Sequence, residues 1–472
     1  MNSYKIYLAG KFVETKKVLE VINPYTQQIE ACTFLAGQIE LESAIKAGLA
    51  AEKEMKKLPV YIRYKILQDI VLNLGKQADE FSRVLAMEAG KPLRLALAEV
   101  NRAIQTFIVA AEECKRLPGE LISIDWTPDG KNKEGIVKYF PIGLVAGISP
   151  FNFPLNLVAH KVAPGIAAGC PIIIKPSSNT PLSTLLLAEI IDKTDLPKGA
   201  FSALPMDRIT GNNLVNDTRI KLLTFTGSPD VGWAMKNNAG KKKVVLELGG
   251  NAGVIVSGTA DVTHAAKRCA VGGFAFSGQV CIHAQRIFVH IKNYDTFISE
   301  FIPLVKALKI GDTADINTDF SVMIDEKNSI RVESWINEAV NSGAIILCGG
   351  KRTGNLVEPT VIVNTDKDMK INYKEVFGPV VTITKFSDFE EAVEMLNYGK
   401  YGLQAGVFTN NIDEMNYAFE HIDVGGVILN DIPTFRVDHA PYGGVKDSGL
   451  GREGVKYAIL DMMEAKILVK NF

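Results

Sequence analysis

The spacing of apolar residues divides the first part of the chain into regions of different secondary structure. Residues 1–40 hold short apolar runs between turn residues, which predicts short strands. In residues 41–54, 60–89 and 93–114, apolar side chains recur every three or four positions, and this period predicts three long helices. Gly90-Lys91-Pro92 interrupts the pattern, so the second helix is predicted to end there.

A different pattern begins at Leu121, where apolar and polar residues alternate before a turn at Pro128-Asp129-Gly130. The chain returns through residues 136–140, so residues 121–138 are predicted to form a long hairpin outside the globular body. The sequence offers no evident partner for its apolar face, and an unpaired strand favours association. We therefore expect a homodimer or homotetramer rather than a monomer.

Near-continuous apolar strands then alternate with helical patterns, which predicts an α/β domain built on a parallel, doubly wound sheet. The predicted strands are 143–149, 171–175, 200–204, 221–226 and 244–248, and the predicted helices are 155–168, 181–193, 211–216 and 229–238. Such sheets bind nucleotides at the carboxyl ends of their strands. Residues 253–430 repeat the alternation and predict a second α/β domain, with an interdomain ligand cleft near Glu247.

Length and composition fit these predictions and exclude several classes of function. A chain of 472 residues, 47% of them hydrophobic, is long enough for two or three domains. Its 52 basic and 53 acidic side chains are dispersed, which argues against a nucleic-acid partner. No apolar run reaches the ~20 residues of a membrane span, and no signal-peptide core is present. The six cysteines include no C-x-x-C pair, so we expect no metal site and a cytoplasmic protein with reduced thiols.

One of these cysteines, Cys281, lies in a setting that suits a nucleophile. Small and polar residues precede it in Ser277-Gly278-Gln279-Val280, and the strand-like run Arg286-Ile287-Phe288-Val289 follows it. The thiol is therefore predicted to project from a turn just ahead of a sheet, where Gly278 permits close backbone approach. The alternative interpretation is an ordinary buried cysteine without a chemical role.

Further stretches place polar side chains beside predicted strands. Glu247 ends an apolar strand, Asn152 lies in a short loop after another strand, and Glu375 precedes a third. Together with Cys281, these stretches resemble the aldehyde dehydrogenase superfamily in the order and spacing of its motifs, from about residue 10 to the carboxyl terminus. The motifs are Phe151-Asn152-Phe153-Pro154, Glu247-Leu248-Gly249-Gly250-Asn251, FAFSGQVCIH around Cys281, Glu375-Val376-Phe377-Gly378-Pro379, and Pro441-Tyr442-Gly443-Gly444-Val445-Lys446 with Ser448-Gly449.

The resemblance implies an aldehyde dehydrogenase-like α/β fold with two doubly wound domains and a β-hairpin arm that joins subunits. The implied parts are a dinucleotide-binding domain (1–120 and 141–246), a catalytic domain (247–440) and an oligomerisation arm (121–140 and 455–472). In that arm a strand at 465–469 would pair with the hairpin. The chain looks similar to NAD(P)-dependent, non-acylating members of the semialdehyde and lactaldehyde dehydrogenase type.

The residue types indicate how these motifs would act together. As a thiolate, Cys281 would attack an aldehyde carbon, and the Asn152 amide with the Cys281 backbone N–H would stabilise the oxyanion. After hydride transfer, Glu247 would act as general base in thioester hydrolysis. Relatives that pass the acyl group to coenzyme A generally lack this carboxylate. Two alternatives stay open: a cysteine hydrolase, and a non-catalytic NAD(P)-binding protein on the same fold.

A turn that ends a strand and opens a helix predicts the cofactor site. It reads Thr226-Gly227-Ser228-Pro229-Asp230-Val231-Gly232, and its helix amino terminus suits a pyrophosphate, although a plain turn is the alternative. By resemblance, Lys175 and Ser178 would contact the adenine ribose, while Glu375 and Phe377 would contact the nicotinamide ribose. Relatives that prefer NAD often carry Glu at the Ser178 position, so we expect NAD or NADP, with NADP preferred.

A second glycine pattern, G-x-G-x-x-G at residues 449–454, is the sequence fingerprint of a dinucleotide-binding turn. It follows no apolar strand, and too few residues remain after it to complete a βαβ unit. We therefore interpret residues 449–454 as a flexible loop near the mouth of the active site.

The substrate is predicted to contact four basic or titratable residues. Arg102 lies within an apolar helix, His160 lies about two helical turns beyond the Asn152 loop, and Arg436 and His439 lie in a late loop. Relatives that oxidise anionic aldehydes keep cationic contacts in such places, so the hypothesis is a small anionic aldehyde, such as a semialdehyde, or lactaldehyde. The alternative is that Arg102 forms a structural ion pair and His160 is a satisfied helix histidine. Val280, where some phosphate-handling relatives carry arginine, argues against a phosphate group.

Overall fold

The computed structural model describes residues 2–472. Its amino-terminal part has short strands followed by long helices, as the apolar spacing predicts. The elements are β1 (Asn2–Ser3), β2 (Ile6–Leu8), β3 (Lys11–Val13), β4 (Val18–Ile22), β5 (Ile29–Phe34), α1 (Gln38–Lys57), α2 (Val60–Lys76), α3 (Ala78–Ala89) and α4 (Leu93–Glu113). The apolar faces of α2, α3 and α4 pack into one hydrophobic core with the helices that follow.

Residues 60–89 form two helices, so the prediction of a single helix is wrong. Helix α2 ends at Lys76, Gln77 adopts φ −107° and ψ 14°, and α3 begins at Ala78. The buried stripe nevertheless continues from Leu74 in α2 to Phe81 in α3 at helical spacing. Because one non-helical residue leaves the apolar period intact, the period alone does not reveal the break.

The next segment contains the hairpin and the strands of the first sheet. The elements are β6 (Gly119–Ser123), β7 (Lys133–Pro141), β8 (Val145–Ile148), α5 (Asn156–Ala168), β9 (Ile172–Lys175), α6 (Leu182–Asp192), β10 (Phe201–Ala203), α7 (Arg208–Asn216), β11 (Leu222–Thr226), α8 (Pro229–Asn238) and β12 (Lys243–Glu247). The order β12-β11-β8-β9-β10 is parallel throughout, and β2 and β3 extend it antiparallel at one edge. Every residue of α5 is buried, because this helix lies between the sheet and the amino-terminal helices.

A second sheet follows, as the alternation in residues 253–430 predicts. The elements are β13 (Ala252–Val256), α9 (Val262–Phe274), β14 (Ala284–His290), α10 (Tyr294–Lys306), α11 (Glu326–Asn341), β15 (Ile345–Cys348), β16 (Arg352–Thr353), β17 (Leu356–Val357), β18 (Thr360–Val363), α12 (Lys370–Tyr373), β19 (Val380–Phe386), α13 (Phe389–Asn397), β20 (Tyr401–Gly402), β21 (Gln404–Phe408), α14 (Ile412–His421) and β22 (Gly426–Leu429). Its order is β15-β18-β19-β14-β13-β21-β22, and its strands are parallel except for β15.

The carboxyl-terminal segment returns to the first sheet and then to the hairpin. Its elements are β23 (Val445–Lys446), β24 (Gly449–Leu450), α15 (Val455–Asp461) and β25 (Met463–Asn471). Strand β24 pairs antiparallel with β12 and sets Gly449 opposite Glu247, so the G-x-G-x-x-G pattern begins as an edge strand and not as the predicted loop. Strand β25 pairs along β7, as the resemblance implies. Within residues 2–472, no helix is long and apolar enough to cross a membrane.

Candidate active site

A cavity of about 920 Å³ lies where the carboxyl ends of β8, β11 and β12 face the loop before β14. It brings together most of the residues that the sequence singles out. Those on its wall are Arg102, Asn152, Gly227, Ser228, Glu247, Cys281, Glu375, Phe377 and Arg436. Predicted residues that do not line it, within the described chain, are His160, Lys175, Ser178, Gly232 and His439.

Cys281 projects from a tight turn, as its sequence context predicts. Helix α9 ends at Phe274, and Phe276, Ser277 and Gly278 then adopt left-handed φ values of 49°, 54° and 68°. A side chain at Gly278 would collide with the Gly378 backbone, so glycine is required there. Burial raises the pKa of the Cys281 thiol to about 11, although a hydrogen bond with a nearby hydroxyl group acts to lower it.

That hydroxyl belongs to Tyr442, whose oxygen lies 3.2 Å from the Cys281 Sγ. Tyr442 is buried, and the Arg436 guanidinium lies 3.7 Å from the centre of its ring. Tyr442 belongs to the motif at residues 441–446, but no function was predicted for its side chain from the sequence. Its proximity to the nucleophile depends on chain folding, since the two residues are 161 positions apart.

Asn152 lies in the loop after β8, and its Nδ2 donates a hydrogen bond to the Gln279 carbonyl at 2.9 Å. Its Oδ1 is buried and has no hydrogen-bond partner among the described residues. Lys91 Nζ donates to the Asn152 carbonyl oxygen at 2.7 Å and forms a buried ion pair with Glu99. Glu99 Oε1 accepts the backbone N–H groups of Leu155 (3.0 Å) and Asn156 (3.2 Å). The Lys91–Glu99 pair therefore holds this loop at Asn152 and at the start of α5.

Glu247 ends β12, where its side chain is 3% exposed. Its Oε1 accepts the Glu453 backbone N–H at 3.2 Å, while its Oε2 has no hydrogen-bond partner in the part of the chain described. Burial and the neighbouring Glu453 carboxylate raise the pKa of Glu247 well above its ordinary value. A buried carboxyl with a raised pKa on a cavity wall suits a general base.

Glu453 behaves in the opposite way, although it is equally buried. Burial alone would raise its pKa, but the interactions with Lys161, His160 and Arg436 outweigh this effect and lower the pKa to about 2. Lys161 Nζ lies 3.4 Å from Glu453 Oε1, and Arg436 Nη2 lies 3.1 Å from Oε2. Glu453 is therefore a fixed anion behind Glu247. Neither Glu453 nor Lys161 was predicted as a site residue from the sequence.

Two features of the cavity fit the ribose and pyrophosphate of a dinucleotide. Glu375 Oε1 accepts the Gly250 N–H at 2.9 Å, and a side chain at Gly249 would collide with the same carboxylate. Burial raises the pKa of Glu375 to about 7. The amino terminus of α8 opens at Ser228 on the cavity wall, where its free N–H groups suit a phosphate.

The outer cofactor residues lie beyond this wall. Lys175 ends β9, where burial lowers its pKa, and Ser178 follows in the next loop. Gly232 is buried inside α8, where a side chain would collide with Leu248. Gly232 therefore shapes the packing of α8 against β12 rather than the surface of the cavity.

The substrate candidates divide into two groups. Arg102 and Arg436 reach the cavity wall, where Arg102 Nη2 lies 2.8 Å from Asp438 Oδ1. His160 lies behind them, with its Nε2 2.8 Å from the same oxygen, and burial lowers its pKa. His439 is exposed and lies outside the wall. The structure thus gives His160 a contact with Asp438 and gives neither histidine a place on the cavity surface.

Some of these unpredicted residues carry a weak signal in the sequence. Glu453 lies inside the G-x-G-x-x-G pattern, and Lys161 directly follows His160 in a helix that is otherwise almost entirely apolar. A charged residue in such a helix is costly unless it is paired, so it marks a buried ion pair. Lys91 lies in the helix break Gly90-Lys91-Pro92, and nothing local to that break indicates its partner Glu99.

A cysteine thiol, a buried carboxyl group and a cavity that suits a dinucleotide fit an α/β dehydrogenase of the kind that uses a covalent intermediate. The chain matches the model of the aldehyde dehydrogenase family over residues 12–468. It is 41% identical over 472 residues to 3-sulfolactaldehyde dehydrogenase from Priestia aryabhattai, covering 100% of this chain and 98% of that protein. It is 40% identical over 471 residues to lactaldehyde dehydrogenase from Methanococcus aeolicus, covering 99% and 100%.

Solved structures agree with these relatives. Aldehyde dehydrogenase 21 from Physcomitrella patens, in complex with the reaction product succinate, superposes with a TM-score of 0.98 at 48% identity, covering 100% of this chain and 98% of that one. Glyceraldehyde-3-phosphate dehydrogenase GapN from Methanocaldococcus jannaschii, complexed with NADP, superposes with a TM-score of 0.93 at 37% identity, covering 96% and 99%.

The chain belongs to the aldehyde dehydrogenase family, and the sequence-based recognition and fold class are confirmed. It is an enzyme that oxidises aldehydes with NAD(P). This finding sets aside both the cysteine hydrolase and the non-catalytic binding protein. In agreement, His283 directs its Nε2 to the Gly273 carbonyl oxygen at 2.8 Å and not to Cys281.

Proposed function

We propose that this enzyme oxidises a small anionic aldehyde, of the semialdehyde type, to the free carboxylic acid with NADP as the preferred cofactor. The observation that carries the proposal is the pair of guanidinium groups on the cavity wall, Arg102 and Arg436. Both side chains line the cavity, where a positively charged guanidinium suits an incoming anion. Relatives named for sulfolactaldehyde and a structure holding succinate support the anionic class.

In the proposed mechanism, Cys281 Sγ attacks the aldehyde carbon as a thiolate. The Asn152 side-chain amide, which donates to the Gln279 carbonyl oxygen in the free enzyme, would donate to the developing oxyanion instead. The Cys281 backbone N–H would stabilise the same oxyanion. Bound NAD(P) would supply the hydride acceptor, and the loss of hydride would leave the carbonyl carbon attached to Sγ as a thioester. Glu247 then takes a proton from water, whose oxygen attacks the thioester carbon, and the thiolate leaves as the acid forms.

The residues on the cavity wall fit the cofactor. The α8 amino terminus beyond Gly227 and Ser228 would hold the pyrophosphate, and Glu375 with Phe377 would hold the nicotinamide ribose. Lys175 ends β9 and Ser178 lies in the loop after it, where the adenine ribose would lie. Because Ser178 is uncharged, nothing at that position repels a 2′-phosphate, and this supports NADP.

We also propose a division of the chain into two domains and an arm. Residues 1–120 and 141–246 form the dinucleotide-binding domain, residues 247–440 the catalytic domain, and residues 121–140 and 455–472 the oligomerisation arm. The two separate sheets and the β6-β7-β25 arm support this division. We also propose a homodimer or homotetramer that works in the cytoplasm on a small-molecule substrate.

The test is the rate of cofactor reduction with succinic semialdehyde and with the neutral butyraldehyde, in the wild type and in Arg102→Leu. We expect the variant to raise KM for the anionic aldehyde at least about tenfold, since a charge-assisted hydrogen bond contributes about 1.5–3 kcal/mol. The KM for butyraldehyde should change little. Arg94→Leu is the matched control, because Arg94 lies on the same helix in an exposed ion pair with Asp319.

A neutral aldehyde is the second candidate substrate, because the chain is 40% identical to a lactaldehyde dehydrogenase. Equal kcat/KM values for anionic and neutral aldehydes in the wild type would favour this candidate. Arg102 would then be assigned a structural role through its ion pair with Asp438.

A further inference from the structure

Tyr442 has a hydroxyl group in contact with the proposed nucleophile and no role in the mechanism above. Its oxygen lies 3.2 Å from Cys281 Sγ, and no other hydrogen-bond partner of this hydroxyl is present in residues 2–472. The side chain is 4% exposed, so water does not readily replace the contact. A buried hydroxyl whose hydrogen bonding is committed to one sulfur atom requires an explanation.

Backbone hydrogen bonds between Tyr442 and Glu453 hold the contact between the Tyr442 hydroxyl and Sγ in place. Tyr442 and Glu453 form an antiparallel bridge, with Tyr442 N–H donating to Glu453 O at 2.8 Å and Glu453 N–H donating to Tyr442 O at 2.6 Å. The same Glu453 N–H lies 3.2 Å from Glu247 Oε1. The same bridge therefore positions the Tyr442 hydroxyl against Sγ and the Glu453 N–H against the Glu247 carboxyl group.

The groups around the Tyr442 ring favour a hydrogen bond that the Tyr442 hydroxyl donates to the Cys281 sulfur. The Arg436 guanidinium lies 3.7 Å from the ring centre, and a cation over the ring withdraws charge from the phenol. Burial, first of all, raises the pKa of Tyr442 well above its ordinary value, so the phenol keeps its proton at neutral pH. A protonated phenol beside a sulfur atom can donate to a thiolate.

We propose that Tyr442 is a catalytic residue whose hydroxyl donates a hydrogen bond to the Cys281 thiolate, both when the thiolate attacks and when it leaves. This inference rests on the proposed role of Cys281 as the nucleophile. No covalent bond to Tyr442 forms or breaks, and its proton stays on the phenol oxygen throughout. In the thioester the sulfur carries no charge and the hydrogen bond is weak, so the stabilisation acts on the thiolate at both ends of the cycle.

The experiment measures the rate of Cys281 alkylation by iodoacetamide as a function of pH, in the wild type and in Tyr442→Phe. Loss of enzyme activity reports the modification, and the thiolate ultraviolet absorbance gives an independent titration. Because hydrogen bonds to charged groups are strong, we expect the thiol pKa to rise by about one to two units in the variant. Phenylalanine keeps the ring beneath Arg436, so the packing of the loop is retained.

Two control variants complete the design. Cys281→Ala gives the thiolate absorbance of the other cysteines, which is subtracted, and Tyr401→Phe removes a different hydroxyl from the same cavity wall. The thiol pKa should be unchanged in Tyr401→Phe. We also expect kcat/KM of Tyr442→Phe to fall at least about tenfold, with most of the activity regained at higher pH, where the thiolate forms without the donor.

The outcomes separate the two hypotheses. An unchanged thiol pKa in Tyr442→Phe overturns the inference, and a lowered pKa shows instead that the thiol donates to the phenol oxygen. Either result leaves the nucleophile intact as long as alkylation still inactivates the enzyme. If alkylation of Cys281 leaves aldehyde oxidation unaffected, the proposed function itself fails.

Discussion

Individual residues in the cavity owe their chemistry to burial and to their charged neighbours. Glu247 and Glu453 are both carboxylic acids and both buried, yet their pKa values move in opposite directions. The difference arises because Lys161 and Arg436 lie against Glu453, whereas Glu247 faces the anion that these cations stabilise. Pairs of acids whose environments separate their pKa values are typical of general acid–base sites.

Glu247→Gln tests the proposed role of Glu247 as the general base. The variant keeps the hydrogen bond from the Glu453 N–H but cannot accept a proton, so hydride transfer should proceed and thioester hydrolysis should slow. We expect a burst of reduced cofactor near one equivalent per active site, followed by a steady-state rate lower by about 10²–10⁴-fold. Stopped-flow absorbance measures both phases, and an undiminished steady state would contradict the assignment.

The raised pKa of Glu247 also predicts a pH dependence. Below that pKa the carboxyl is protonated and cannot accept the water proton, so the steady-state rate of the wild type should rise as pH rises. In Glu247→Gln this dependence should disappear from the slow phase, because glutamine does not titrate. Measuring the slow phase from pH 6 to pH 9 distinguishes the base from other titrating groups.

Ser178→Glu tests the cofactor preference at a single residue. The new carboxylate would meet the 2′-phosphate of NADP, and like charges in contact cost several kcal/mol. We expect kcat/KM for NADP to fall at least about tenfold while NAD is affected little. Ser178→Ala is the control without charge, and a wild-type KM for NAD tenfold below that for NADP would already contradict the preference.

Local sequence context predicts some of the proposed catalytic residues but not the residues that lie behind them. Cys281, Asn152 and Glu247 each lie beside a predicted strand end, so their convergence follows from a sheet topology that the apolar pattern itself predicts. The contact between Glu453 and Glu247 joins residues 206 positions apart through a two-residue edge strand. So short a strand has no apolar period, and residues 449–454 were interpreted as a loop because no apolar strand precedes them.

At the scale of elements, a buried ion pair connects a helix break to the loop that carries Asn152. Lys91 follows Gly90, which adopts the left-handed conformation that ends α3, and Glu99 lies two turns along α4. The Lys91 ammonium also lies 4.0 Å from the centre of the Phe153 ring and 4.5 Å from that of Phe276. One cation therefore contacts both the Asn152 loop and the loop that leads to Cys281.

Lys91→Met should therefore reduce both stability and turnover. Removing one partner of a buried ion pair leaves the other charge uncompensated, which costs about 3–5 kcal/mol. We expect the free energy of unfolding in urea to fall by that amount, and kcat to fall because the Asn152 loop loses its anchor. Lys65→Met, which breaks an exposed ion pair with Asp195, is the control and should change neither. Full activity in folded Lys91→Met would show that the pair is structural alone.

At the scale of the whole molecule, the arm formed by β6, β7 and β25 leaves apolar side chains exposed. Side chains alternate between the two faces of this small sheet along each strand. On one face, Ile467 of β25 lies opposite Val137 of β7. On the same face, Gly135 of β7 lies between Val469 of β25 and Ile122 of β6. Ile467 is 50% exposed and Val469 is 48% exposed, so this apolar face is uncovered in the single chain.

Ile467→Glu should dissociate the proposed oligomer by placing a charge in that face. Burying an unpaired carboxylate between subunits costs several kcal/mol, so the equilibrium should shift towards monomers without loss of the fold. Analytical ultracentrifugation measures the mass at several protein concentrations, and circular dichroism checks the secondary structure. Lys466→Glu is the matched control, because its side chain lies on the opposite face of the same strand. If the wild type sediments as a monomer, or if both variants dissociate equally, the apolar face is not the contact between subunits.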